Sequence, residues 1–243
     1  MAELTLTKQS SDFRRGIQAG ISIAIGYFPI ALTFGLLSKT TGLSFGETVM
    51  MSLLVYAGAS QYMSLSLLTL GTGIFEIVLT TFIVNIRHFL MATSLNEKCE
   101  DDHLAYKVVY SFGLTDETFS VAATKEGTAT TGYLFGLFSI SYASWVINSG
   151  IGYAIGSSLP QTLQESMSVA LYAMFIGLLV PSMKRSAKVI FLAGLAATFN
   201  SIFTLTGSLS KGWAIVLATL LSAVIIEGID TWRGRQRRNF SEH

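Results

Sequence analysis

The sequence predicts an all-α, polytopic integral membrane protein, and three observations predict it. Residues 16–38 form a run of 23 residues without a formal charge, and a transmembrane helix needs roughly 20 mostly apolar residues. Further runs free of Asp, Glu, Lys and Arg cover residues 48–75, 127–164, 166–183, 189–210 and 212–226. Charged residues make up only 13% of the chain, where soluble domains carry about 25%, and the mean hydropathy is +0.54. This composition is written for lipid rather than water.

The first span is read at 16–37. Lys8, Arg14 and Arg15 precede it as in a signal peptide, but the apolar run exceeds the usual h-region and no A-x-A site follows, so a retained helix is expected. Pro29 lies near its centre with Gly26 three residues before. Proline removes the donor that would meet the Ile25 carbonyl, which predicts a kink and a carbonyl free for water, a side chain or substrate. A kink that only shapes the helix is the alternative.

The second span, 48–70, carries Ser52, Tyr56, Ser60 and Ser64 at intervals of four, with Gly58 and Gln61 beside them. One narrow helix face is polar. Its serines suit close packing as well as binding, whereas the Gln61 carboxamide brings two donors and an acceptor into lipid and points to binding.

The third span, 74–95, contains Asn85, Arg87 and His88. At 100° per residue Thr81, Asn85 and His88 share a face and Arg87 points away. Asn85 and His88 are therefore ligand candidates, and Arg87 is expected to pair with Glu76, with a carboxylate of another span, or to reach the interface. His88 has no second histidine at i+4, so no metal site is read here.

The fourth span, 104–124, is the least secure. It holds Thr115-Asp116-Glu117-Thr118 near its middle. Two adjacent carboxylates at that depth resist ionisation together, which suits a proton-carrying role. Alternatively the helix breaks and Asp116 caps a half-helix beginning at Glu117. The two readings are compatible, since transporters receive ions at half-helix ends.

The remaining spans are read at 132–156, 165–182, 188–208 and 212–231. Eight crossings place both termini on one side. Taking it as cytoplasmic, the inner segments hold 11 basic residues (Lys8, Arg14, Arg15, Lys125, Lys184, Arg185, Lys188, Arg233, Arg235, Arg237, Arg238) and the outer ones 4 (Lys39, Lys98, Lys107, Lys211). That bias fits the positive-inside rule; seven crossings are the alternative. Residues 51–57, Met-Ser-Leu-Leu-Val-Tyr-Ala, recur at 167–173 as Met-Ser-Val-Ala-Leu-Tyr-Ala, and the same offset pairs Gly16 with Gly132 and Gly20 with Gly136. A single transmembrane domain built from two repeat halves, 16–124 and 132–231, is expected, parallel or inverted according to the number of spans in each.

Enzyme motifs are weak. Gly42-Leu-Ser44-Phe-Gly46 matches G-x-S-x-G in letters but lies in a short loop without strand-turn-helix context. There is no H-E-x-x-H, Walker loop or Cys-x-x-Cys, so no enzyme, cofactor or metal is read from the chain. Cys99 stands beside Glu100, Asp101 and Asp102, surroundings that do not activate a thiol. A net charge of +1 gives no attraction to nucleic acid.

In order and on successive spans, Gly58-Ala-Ser-Gln61, Asn85-Ile-Arg87-His88 and Thr115-Asp116-Glu117 resemble the AzlC-type branched-chain amino acid permeases. The resemblance is strongest over residues 16–124; beyond it rests on hydropathy and on Asn148, Gly152 and Asn200. It implies a multi-pass protein of the bacterial cytoplasmic membrane that moves leucine, isoleucine or valine, usually outward, together with a small multi-span AzlD-type subunit. The residues themselves place Pro29, Gly58, Ser60, Gln61, Asn85 and His88 around substrate, and Arg87, Asp116 and Glu117 in proton coupling or an ion pair. Without a nucleotide-binding loop, transport would run on a gradient, most simply of protons. Rival readings are a passive channel for small amphipathic solutes and a non-catalytic scaffold for membrane assembly.

Overall fold

The computed structural model describes residues 2–158, 160, 162, 169, 176, 179–180, 183–184 and 186–241. The elements are α1 (Ala2–Thr40), α2 (Phe45–Leu54), α3 (Gly58–Thr69), α4 (Ile74–Asn85), α5 (Arg87–Asn96), α6 (Leu104–Ser111), α7 (Asp116–Thr124), α8 (Thr131–Ile155) with a 3-10 turn at Gly156–Ser158, α9 (Ala187–Thr206) and α10 (Lys211–Ser241). Among the described residues there is no strand beyond one isolated bridge, Cys99 to Ala129. Among the described residues five helical stretches are long and apolar enough to cross a membrane: Asp12–Thr40, Ile74–Asn96, Thr131–Ile155, Ala187–Thr206 and Gly212–Thr231. The protein is an all-α polytopic membrane protein. The predicted span 165–182 and the second copy of the repeated heptad lie outside the described residues, apart from isolated positions such as Val169 and Ile176.

The chain forms two compact units, Met1–Ser66 with Val84–Leu171, and Leu67–Ile83 with Tyr172–His243. The first is built on α1 and α8, whose glycines bring the two backbones together. A Cβ added to Gly16 would meet the Tyr133 carbonyl, one at Gly136 the Phe13 carbonyl, one at Gly35 the Ser149 carbonyl and one at Gly152 the Leu32 carbonyl. Contacts rise together along both helices, so α1 and α8 run parallel. Leu134 and Leu137 of α8 and Phe34 of α1 are fully buried there.

α2 starts beside the C-terminal end of α8: the Tyr153 hydroxyl donates to the Leu43 carbonyl at 2.9 Å and its ring meets Phe45 edge-on. Ser44 caps α2 in a reciprocal box with Glu47, and the Ser44 backbone and hydroxyl donors hold the exposed Glu47 carboxyl below its usual range. α6 starts at the other end of α8. There the Glu100 carboxylate accepts from the Thr131 amide, the Thr131 hydroxyl donates to Asp102, and the Ala129 amide donates to the Lys98 carbonyl. Burial pushes the Cys99 thiol up, away from reactivity.

In the second unit, Glu76 near the start of α4 accepts from the Ser210 hydroxyl and the Trp213 amide, fastening α4 to the start of α10. α9 ends on Gly207 in the left-handed region (φ 61°), and Lys188 bonds both Glu227 and Asp230 of α10 at 2.7 Å.

Candidate functional site

Three predicted spans are interrupted at their centres, and the interruptions meet. The second is not one helix with a polar face: it stops after Leu54 and restarts at Gly58. Tyr56 between them has φ 42°, a left-handed conformation that costs a non-glycine residue about 1–2 kcal/mol. The turn is sharp. The Gln61 amide donates to the Ser52 hydroxyl at 3.2 Å, although nine residues of straight helix would separate them by about 13.5 Å. The Ser52 hydroxyl in turn donates to Ser149 and the Trp145 indole N–H donates to Gln61 Oε1 at 3.0 Å. Gln61 is thus fully buried with protein partners at both ends of its carboxamide. Gly58 is needed because Trp145 fills the space a Cβ would take, and the Tyr142 hydroxyl satisfies the Leu53 carbonyl at the end of α2.

The first span shows the reverse. α1 stays helical through Pro29. Around the proline, Thr33 donates to the Pro29 carbonyl, the Tyr62 hydroxyl to the Ile30 carbonyl and Ser144 to the Ala24 carbonyl.

The third span, one helical stretch from Ile74 to Asn96, is interrupted only in its hydrogen bonding, at Ile86 between α4 and α5, where the backbone stays helical (φ −56°, ψ −27°). Ser60 donates to Asn85 Oδ1 at 2.5 Å, and His88 Nδ1 lies 3.0 Å from the Asn85 carbonyl. Arg87, the first residue of α5, pairs with Asp116 at 2.7 Å, while Glu76 is engaged with α10.

The fourth span is two half-helices that do not carry the chain across. α6 climbs α8, with Tyr106 on Phe135, Tyr110 on Phe135 and Phe138, and Phe112 on Tyr142. α7 then returns: Lys98 Nζ bonds the Ala123 carbonyl, and Lys125 lies over the Tyr133 ring. Entry and exit share the N-terminal end of α8. The cap of α7 is Thr115, in a reciprocal box with Thr118, rather than Asp116, so the helix begins one residue earlier than predicted. Thr118 also donates to the Gly113 carbonyl at the end of α6.

The two turns reach the middle of α8 from opposite ends and touch through aromatic rings: Tyr56 with Phe112 at 6.2 Å, and both with Tyr142 at 5.0 and 5.8 Å. Against them Tyr27 of α1 donates to Glu117 Oε2 at 2.7 Å and shares a 2.7 Å bond with the Thr115 hydroxyl. The Tyr56 hydroxyl is buried and meets hydrogen-bond geometry with no group among the described residues, a cost of about 1–3 kcal/mol. Sequence reasoning passed over Tyr27, Trp145 and Tyr142; the signal was a hydroxyl or indole N–H at mid-span, each of which needs a partner in lipid. The assembled groups place an Arg87–Asp116 ion pair beside the Glu117 carboxylate. Among the described residues no cluster of His, Cys, Asp and Glu is placed to hold a metal ion.

The AzlC protein family model matches residues 22–159, the stretch that contains all these turns. An uncharacterized membrane protein of Archaeoglobus fulgidus is 30% identical over 226 residues, covering 91% of this chain and 97% of the relative. Inner membrane protein YgaZ of Escherichia coli is 30% identical over 201 residues (79% and 82%). Branched-chain amino acid transport protein AzlC of Bacillus subtilis is 24% identical over 200 residues (81% and 78%). No solved structure matches the chain. With more than half of the chain inside the family model and a relative aligned over almost its whole length, the chain belongs to the AzlC family of multi-pass membrane proteins.

Proposed function

We propose that this chain is a secondary transporter that moves leucine, isoleucine and valine across the bacterial cytoplasmic membrane, outward, in exchange for protons, with a small AzlD-type membrane subunit. The observation that carries the reading is the convergence of three interrupted spans on one locus that holds an ion pair and a carboxylate. α3, α5 and α7 all begin there, and half-helix N-termini favour anionic groups. In this reading the N-terminal amides of α3 and α5, with Ser60, Asn85 and His88, take the substrate carboxylate. Gly58 and Gln61 hold the α2–α3 turn against Trp145, and Pro29 shapes α1 beside it. Aromatic and aliphatic walls suit a branched side chain. The name of the Bacillus subtilis relative, a branched-chain amino acid transport protein, supports this substrate class. Repeat halves 16–124 and 132–231 belong to the same reading, supported by the parallel, reciprocal glycine contacts of α1 and α8. So do cytoplasmic termini.

Counterflow of radiolabelled leucine in proteoliposomes, with and without the small subunit, tests the proposal. Accelerated exchange is expected, and a simple pore lacks it. Absence of exchange for all three amino acids in both preparations would remove the transport reading. Asp116→Asn and Glu117→Gln address coupling: one is expected to abolish gradient-driven movement while sparing some exchange, and unaltered proton-driven flux in both and in the double variant excludes a coupling role.

A further inference from the structure

Two carboxylates stand side by side at the start of α7, and the structure treats them differently. Asp116 has a cation, Arg87, at 2.7 Å. Among the described residues Glu117 has no basic partner within ion-pair distance, and it accepts a hydrogen bond from the Tyr27 hydroxyl. Tyr27, which makes that bond, packs edge-on against Trp145 at 5.3 Å, and Tyr56, Phe112 and Tyr142 are in mutual ring contact. Tyr56 is 3% exposed, its buried hydroxyl has no hydrogen-bond partner among the described residues, and it is the one described residue, glycine aside, with a left-handed backbone. Such outliers mark places where the chain is arranged for a state or a ligand rather than for its own stability. An unpaired carboxylate, a free hydroxyl oxygen and several ring faces together are what a primary ammonium group seeks.

We infer that Glu117 and the Tyr56 hydroxyl form a subsite for the substrate's ammonium group, and that a proton and the ammonium compete for the Glu117 carboxylate. The inference rests on the transport reading above and specifies its coupling. When Glu117 is ionised it holds the ammonium; when it takes a proton, the charge that held the ammonium is gone and substrate leaves, so each binding site carries one or the other. That exclusion is what proton-driven export needs. The other titratable or charged groups facing the subsite are Tyr27 from α1, Arg87 and His88 from α5, Asp116 from α7 and Tyr142 from α8. Arg87 and Asp116 are paired with each other. His88 bonds the Asn85 carbonyl and is the other basic group near the subsite. A His88→Gln background is therefore included.

The test uses the purified full chain and three probes: leucine, isopentylamine, which keeps the amine alone, and 4-methylpentanoate, which keeps the carboxylate alone. Glu117→Gln is expected to weaken leucine and isopentylamine about tenfold or more, leave 4-methylpentanoate unchanged, and abolish the loss of leucine affinity on acidification. Tyr56→Phe, which keeps the ring, is expected to weaken the two amines and spare the acid. His88→Gln is expected to retain the pH dependence. Leucine affinity and pH dependence in Glu117→Gln equal to the parent overturn the inference, as does equal weakening of amine and acid in both variants. Should Tyr56→Phe fail to fold, Glu117→Gln decides alone. Parent protein without leucine counterflow would instead defeat the transport reading, and this inference with it.

Discussion

Arg87 and Asp116 show how a charged residue survives at this depth. The pair is 2.7 Å apart with Arg87 38% and Asp116 22% exposed, and Arg87 Nε is buried without a partner. Removing one member of a buried pair costs about 3–5 kcal/mol because a lone charge remains, and the partial exposure here lowers that cost. Arg87→Gln and Asp116→Asn are each expected to lower thermal stability in detergent, and the double variant to be less damaged than the two singles added together. Additive losses would mean that the pair contributes no coupling. The sequence marked these residues because polar groups in lipid stand out against an apolar background. It did not mark Tyr27, Tyr56, Tyr142 and Trp145 as a cluster, because aromatic residues are common in spans and their contacts depend on turns that bring distant segments together.

The elements were legible where apolar length alone decides them. α1, α8, α9 and the start of α10 follow the charge-free runs, while the interruptions followed a different logic from the one the sequence displays. Pro29 is the visible helix breaker, yet α1 runs through it. The real breaks carry no proline. Thr115 and Thr118 cap α7, Gly58 yields to Trp145, and Tyr56 takes a left-handed backbone, so tertiary contacts set each break. The glycines of α1 and α8 let the two backbones meet and hold the first unit together. Gly35→Ala and Gly152→Ala put a Cβ against a facing backbone, and overpacking of this kind costs about 1–3 kcal/mol. Gly26→Ala meets nothing within 4 Å and serves as the control. Melting of purified protein in detergent is expected to fall for the first two and stay near the parent for the third, and a loss in the control equal to theirs would show that the effect is not one of close packing.

At the scale of the whole chain, the hairpin of α6 and α7 changes which basic residues share a face. The sequence reading placed Lys98 and Lys107 opposite Lys125, because a charge-poor segment of 21 residues looked like a crossing. In the structure Lys98 bonds the Ala123 carbonyl, and the Lys98 and Ala129 backbones are joined, so Lys98 and Lys125 lie at one end of α8. Asp12 of α1 is bonded to Thr130 at that end, which brings Arg14 and Arg15 to it as well, whereas Lys39 lies near Tyr153 at the other. The positive-inside bias within the first unit is therefore stronger than the sequence count, and it favours a cytoplasmic N-terminus. Single cysteines at Glu97, Glu126 and Gly42 in a Cys99→Ser background separate the two topologies. Labelling from one face of sealed, oriented vesicles is expected to reach Glu97 and Glu126 together and to miss Gly42, with the cytoplasmic face the reactive one for the first pair. If Glu97 and Glu126 react from opposite faces, α6 and α7 cross the membrane and the hairpin is wrong; if the pair reacts together but from outside, the hairpin stands and the orientation is reversed.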